Sequence, residues 1–189
     1  MTIGFAMCGS FCTFHQIFPV VEKLAQGHEI VPIVSNIGAT TDTRFGSAEE
    51  NRRRIVQICG REPIDSIVAA EPIGPKKLLD VLVIAPCTGN TLAKLAHGIA
   101  DTPVTMAAKS HLRNGRPVVI ALSTNDALAA AAENIGKLLS RRHYYFVPYG
   151  QDAPEGKPTS LVADFDQIPH AVEAAQLRKQ LQPILIHKG

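Results

Sequence analysis

Four short polar runs stand where apolar segments of this sequence end, and they are the residues best suited to chemistry. They are Met7-Cys8-Gly9-Ser10, Ser35-Asn36, Pro86-Cys87-Thr88-Gly89-Asn90-Thr91 and Leu122-Ser123-Thr124-Asn125. A Gly-Ser turn that leads into a helix offers backbone N–H groups and a hydroxyl to an anion. Gly9 allows close approach, and Ser10 supplies the oxygen. Ser35 and Asn36 can hydrogen-bond a ligand or simply close a turn. Thr88, Asn90 and Thr91 could line a phosphate or a ring edge, with Asn90 or Thr91 equally able to cap the next helix. Ser123 and Thr124 precede a helix start, where the helix dipole favours negative charge, and Asp126 is the expected cap. None of these runs is a G-x-G-x-x-G fingerprint or a P-loop.

Other chemistries find less support. No residues form a Ser-His-Asp pattern, and His15, His97, His111 and His170 fall in expected helices without neighbouring Cys or His ligands. The four cysteines, Cys8, Cys12, Cys59 and Cys87, match no zinc spacing, so no metal is expected and a reduced cytosolic interior accounts for them.

The elements that must position the polar runs alternate. Strands are expected at Ile3–Met7, Glu29–Val34, Asp80–Ala85, Pro117–Leu122 and Tyr144–Pro148. Helices are expected at Thr13–Gln26, from the Ser47/Glu50 capping box to Cys59, at Asn90–His97, through Met106 to His111, at Asp126–Ser140 and at Asp166–Gln180. Pro19 predicts a kink in the first helix or a place in its first turn. Strand–helix alternation predicts an α/β protein: a Rossmann-like or flavodoxin-like three-layer sandwich around a parallel sheet, as one domain over residues 1–189. In such a sheet, ligands bind beyond the carboxyl ends of the strands. The four polar runs would then share one edge and form a nucleotide- or flavin-sized site.

Composition narrows the class. The chain has 189 residues, 46% hydrophobic, with no Trp and a net charge of +2. That charge is too small to suggest nucleic acid, and the Arg52–Arg54 run fits a solvated helix face. No segment reads as a signal peptide, and no apolar window approaches the ~18 residues of a membrane span, so a cytoplasmic protein is expected.

The run I-A-P-C-T-G-N-T-L-A-K-L-A-H-G-I-A-D, residues 84–101, resembles the signature of the homo-oligomeric flavin-containing decarboxylase superfamily. Further runs resemble the B-subunit family of dipicolinate synthases within it. These are T-R-F-G (43–46), I-D-S-I-V-A-A-E-P-I-G-P-K (64–76), M-A-A-K (106–109), R-P-V-V-I-A-L-S-T-N-D-A-L (116–128), G-Q-D-A-P (150–154) and Q-L-Q-P-I-L (180–185). Together they span nearly the whole chain. The resemblance implies a Rossmann-like fold, FMN as cofactor and a homo-oligomer. It implies a partner, the synthase's A subunit, that carries NADP, with the two oxidising a dihydrodipicolinate-type precursor to dipicolinate in the mother cell of a sporulating bacterium. FMN would lie against Gly9, Ser10, Ser35, Asn36, Thr88, Asn90, Thr91, Ser123 and Thr124. A small dicarboxylate substrate calls for cations, with Arg44, Lys109 and Arg113 as candidates; no catalytic residue is assigned. Alternatives are a stand-alone FMN-dependent decarboxylase, a flavin prenyltransferase or a non-catalytic structural subunit. Two departures weigh against the enzymes among these. Thr124 and Asn125 stand where the prenyltransferases carry an Arg-Glu pair, and the decarboxylases' P-x-M-N motif is missing, although His15 lies near the position of their histidine.

Overall fold

The computed structural model describes residues 1–187. Its centre is β3 (Val81–Cys87), seven residues with every side chain buried, which is what a continuous apolar run between two helical layers requires. On one side β3 pairs in parallel with β1 (Thr2–Met7), and β1 pairs in parallel with β2 (Glu29–Val34). On the other side it pairs in parallel with β4 (Val118–Thr124). The first half of β4 pairs in parallel with β5 (Tyr144–Phe146). This gives the order β2-β1-β3-β4-β5, the flavodoxin-like winding, whose direction reverses between β1 and β3.

The sheet is mixed where the sequence predicted a purely parallel one. Beyond Val147 the chain forms β6 (Tyr149–Gly150) and β7 (Leu161–Ala163), and β7 runs antiparallel to the second half of β4 through Ser123↔Val162 and Thr124↔Leu161. The segment between β6 and β7 contains Pro154, Gly156 and Pro158 and no helix. Without a crossover helix to carry it back, the chain can only return antiparallel.

The helices are α1 (Phe14–Ala25), α2 (Asn36–Thr40), α3 (Ala48–Cys59), α4 (Ile67–Ala70), α5 (Gly89–His97), α6 (Pro103–Leu112), α7 (Ala132–Leu139) and α8 (Ile168–Gln176). The Ser47/Glu50 capping box opens α3 as expected, and Gly60 closes it at φ +68°. Its arginines are paired across an exposed face, Arg52 with Glu62 and Asp65, Arg53 with Glu49, and Arg54 with Glu22. Pro19 lies past the first turn of α1, with an exposed ring. The expected helix over 126–140 starts only at Ala132, because Ala129 and Ala131 donate to the Asp126 carbonyl in a series of turns. The last helix ends at Gln176, four residues before the expected stop. Two short helices, α2 and α4, occupy segments for which no element was expected. Among the described residues no helix is long and apolar enough to cross a membrane.

Candidate functional site

The turns after β1, β2, β3 and β4 all leave the sheet at one edge. Ser10 is half-buried after β1, and Ser123 is buried near the end of β4. Their hydroxyl oxygens are 2.8 Å apart although 113 residues separate them in sequence. Ser10 caps no helix with its side chain; the hydroxyl is spent on this cross-turn contact instead. It joins the turns on either side of β3 into one rim.

The other polar residues fall into place around that contact. After β2, Ser35 caps α2 by accepting from the Gly38 N–H at 3.2 Å, and its own N–H donates to the Met7 carbonyl at 3.0 Å. After β3, Thr88 caps α5, accepting from the Thr91 N–H at 3.4 Å. The cap is therefore Thr88, where Asn90 or Thr91 had been the candidates, because only Thr88 has the extended backbone (ψ 158°) a cap requires. The Thr91 hydroxyl is buried and donates to the Cys8 sulfur at 3.3 Å. Asn36 and Asn90 are exposed, and their amides make no hydrogen bond among the described residues.

Asp126 departs from expectation. It caps no helix; its carboxylate accepts from the Thr124 hydroxyl in a short hydrogen bond. That pair leans on Gly89, the first residue of α5: a Cβ there would stand 2.8 Å from both Asp126 Oδ1 and Thr124 Oγ1. A glycine is thus needed for the β3 and β4 turns to meet. Gly9 faces inward, since a Cβ on it would stand 3.2 Å from Ile37 Cγ2, so it lets α2 close over the β1 turn.

The rim encloses two open lobes that share Gly9 and Thr88. One, about 400 Å³, runs from Ser35 and Asn36 past Asn90 and Thr91 to Lys94. The other, about 610 Å³, runs from Ser10 and Phe11 past Ser123, Thr124 and Asn125 to Phe45, Asp152 and Lys157. All nine residues proposed from the sequence for the cofactor therefore line one rim. The three candidate substrate cations divide. Arg44 stands on the Thr43–Gly46 turn at the edge of the larger lobe, its guanidinium 4.8 Å from the centre of the Phe45 ring. Lys109 lines a separate pocket with Leu95, Ile99 and Tyr144. Arg113 follows the C-terminus of α6, at the opposite end of the strands. Sequence reading passed over Phe45, on the Thr43–Gly46 turn, and Asp152, Lys157 and Ser160, which enter the site because β7 folds back onto β4.

Electrostatics at the rim separate inert groups from charged ones. Burial pushes the Cys8 thiol up to about 11 against the lowering effect of Thr91 and Thr88. Burial, and then Cys8 beside it, holds Cys87 well above the ordinary thiol value. Both are neutral wall residues, not nucleophiles. Burial acts to raise Asp152, but hydrogen bonds to Ser160 and to its own backbone, together with Lys157, outweigh it and hold the carboxyl below its ordinary value. No group of three or more His, Cys, Asp or Glu among the described residues could hold a metal ion.

Fold and rim together define an open α/β protein of flavodoxin type with a nucleotide-sized site at its switch point. The Flavoprotein family model matches residues 1–174, and the chain belongs to that family. It is 49% identical over 185 residues to the B subunit of dipicolinate synthase from Bacillus subtilis (strain 168), covering 97% of this chain and 92% of that one. The crystal structure of the B subunit of dipicolinate synthase from Bacillus halodurans C matches at a TM-score of 0.91 and 46% identity, over 100% of this chain and 97% of that one. The FMN-dependent cysteine decarboxylase SpaF matches at a TM-score of 0.67 and 27% identity, over 93% and 97% of the two chains.

Proposed function

We propose that this chain is the B-type subunit of a dipicolinate-forming oxidoreductase, holding FMN along the rim and acting with a companion A subunit that binds NADP. The near full-length identity to the dipicolinate synthase B subunit supports the activity. The observation that carries the site is the Ser10–Ser123 contact, which makes one continuous donor surface out of turns from both sides of the switch point.

The donor set suits FMN. It consists of the Ser35 hydroxyl, the one hydroxyl proton the Ser10–Ser123 pair leaves over, the free amides of Asn36 and Asn90, and the N-terminus of α5, with the Thr88 and Thr124 oxygens as acceptors. Such groups match a ribityl chain and a phosphate that receives helix-dipole and hydrogen-bond stabilisation without a dedicated guanidinium. The two lobes are of the size that organic cofactors and small substrates occupy. Bound there, FMN supplies a two-electron acceptor. The chain's own residues orient it: Gly89 keeps the α5 N-terminus close to Thr124, and Ser10 and Ser123 hold the two turns at a fixed separation.

Aromatisation of a dihydropyridine dicarboxylate removes one hydride and one proton, and its two carboxylates need cations. Arg44 is the one of the three sequence candidates that stands at this edge. The exposed Phe45 ring beside it offers a flat apolar face to a planar substrate. The setting proposed is the cytoplasm of a sporulating mother cell, with the chain in a homo-oligomer.

The test is reconstitution. Purified chain should quench FMN fluorescence on binding. A mixture of the two subunits should oxidise the dihydro precursor faster than either one on its own. A chain that takes up no FMN refutes the cofactor, and a mixture no faster than the isolated companion refutes the shared activity.

A further inference from the structure

Among the described residues the larger lobe is lined by a single cationic side chain, Lys157, and nothing in the family resemblance pointed to it. Its surroundings set it apart from the cation of the smaller lobe. Lys94, in the smaller lobe, is committed twice to Asp101, at 2.8 and 2.9 Å. Lys157 makes one contact, to Asp152 Oδ2 at 3.3 Å, and its side chain is 60% exposed. A single long contact in water is worth little and exchanges readily.

The backbone beneath Lys157 is held firmly. The β6–β7 loop closes on itself through Lys157 N–H to the Ala153 carbonyl at 2.7 Å and Gln151 Nε2 to the Pro158 carbonyl at 2.8 Å. It is also tied to the turn after β4: the Thr159 hydroxyl donates to the Asn125 carbonyl at 2.6 Å, and the Leu128 N–H donates to the Thr159 carbonyl at 2.9 Å. The loop and the Ser123–Asn125 wall therefore form one unit. A mobile ammonium is mounted on a fixed base, facing the same cleft as Thr124 and Asn125.

We propose that Lys157 anchors a substrate carboxylate in the larger lobe, with Asp152 as the counter-ion it leaves when the carboxylate arrives. The substrate's identity as a dicarboxylate rests on the function proposed above; the carboxylate subsite rests on this geometry alone. Asp152 holds the place that the ligand's carboxylate would take. An incoming carboxylate competes with it and gains a charge-assisted hydrogen bond to the exposed ammonium. Lys157 is thus a binding and specificity residue.

The test is equilibrium binding of dipicolinate and of picolinate, which lacks one carboxylate, to the FMN-loaded protein, measured by titration calorimetry. The wild type should prefer dipicolinate, and Lys157→Met should weaken it about 10- to 30-fold, the loss expected for one hydrogen bond to a charged group. Lys157→Arg should restore most of the affinity. Asp152→Asn should tighten binding several-fold by removing the competitor, which a merely structural ion pair would not do. Far-UV circular dichroism and the melting temperature of each variant establish that it is folded.

Equal dipicolinate affinity in the wild type and Lys157→Met overturns the subsite and leaves the proposed function standing. A wild type that ignores dipicolinate but binds another carboxylate in a Lys157-dependent way overturns the dicarboxylate substrate and supports the subsite. Binding of neither acid, nor of acetyl-capped di- and tripeptides with a free C-terminal carboxylate, overturns both.

Discussion

Lowering the pH should destabilise this protein through His111. The imidazole is fully buried near the end of α6, where Nε2–H donates to the Pro117 carbonyl at 3.0 Å, just before β4 begins. Its Nδ1 has no hydrogen-bond partner among the described residues. A proton there would be charged, buried and unshared. Burial accordingly lowers the pKa from 6.5 to about 4, with Arg116 adding to the effect and the Pro117 bond and Asp80 opposing it. The unfolded chain takes up this proton near pH 6.5, and the folded chain resists it until about pH 4. Between those values the unfolded state binds more protons, so stability falls as the pH falls, by up to about 1.4 kcal/mol per pH unit. At pH 5 the loss amounts to roughly 2 kcal/mol relative to pH 8, and the full effect, reached below pH 4, is about 3 kcal/mol. A chain of this length should melt ~4–8 °C lower at pH 5 from this group alone. Carboxylates with lowered pKa values add their own acid slope, so the measurement is a comparison. Urea unfolding from pH 4.5 to 8 is followed for the native protein and for His111→Gln. The variant should be less stable at pH 8 but flatter by close to 1 kcal/mol per unit between pH 5 and 6. Parallel pH profiles for the two proteins would refute the assignment.

Three further outcomes test the rim. Ser10→Ala and Ser123→Ala should each weaken FMN binding several-fold, and the double variant should lose less than the product of the two, because the second change breaks a contact already lost; purely multiplicative losses in a fluorescence titration would show that the hydroxyls act separately. Thr88→Ala removes the α5 cap and should cost about 1 kcal/mol in urea unfolding, with a larger proportional loss of FMN affinity than an exposed substitution such as Glu133→Ala. With a thiol-specific chromogenic disulfide, the exposed Cys12 should react first, while Cys8 and Cys87 react only on unfolding because burial keeps both thiols protonated. Fast modification of three or more thiols in the native protein, beyond the exposed Cys12 and the half-buried Cys59, would contradict that burial.

The order of most elements and most of the polar rim were legible without coordinates. Continuous apolar runs such as 81–85 report burial on both faces, and the polar residues that end them must lie outside the carboxyl edge of the sheet whatever the details of packing. The capping box at Ser47 and Glu50 was readable because it is a local exchange of hydrogen bonds. Long-range pairing had no such local mark. Nothing near Asp126 in sequence shows that its carboxylate turns to Thr124, against Gly89, instead of starting a helix. Nor does a Lys in a Pro- and Gly-rich segment announce a place in the cleft; Lys157 reaches it because β7 pairs antiparallel with the end of β4. Likewise Lys109, on α6, and Arg113, just past its end, are sequence neighbours of site elements that the crossover carries elsewhere.

The sequence by itself therefore determined the alternation of strands and helices and the edge at which polar side chains gather, because hydrophobic periodicity and turn chemistry act over a few residues. Tertiary structure alone decided which hydroxyls touch, which acid is already engaged and which cation faces the cleft. Those facts depend on segments up to 113 residues apart in the chain meeting at hydrogen-bond distance, as Ser10 and Ser123 do.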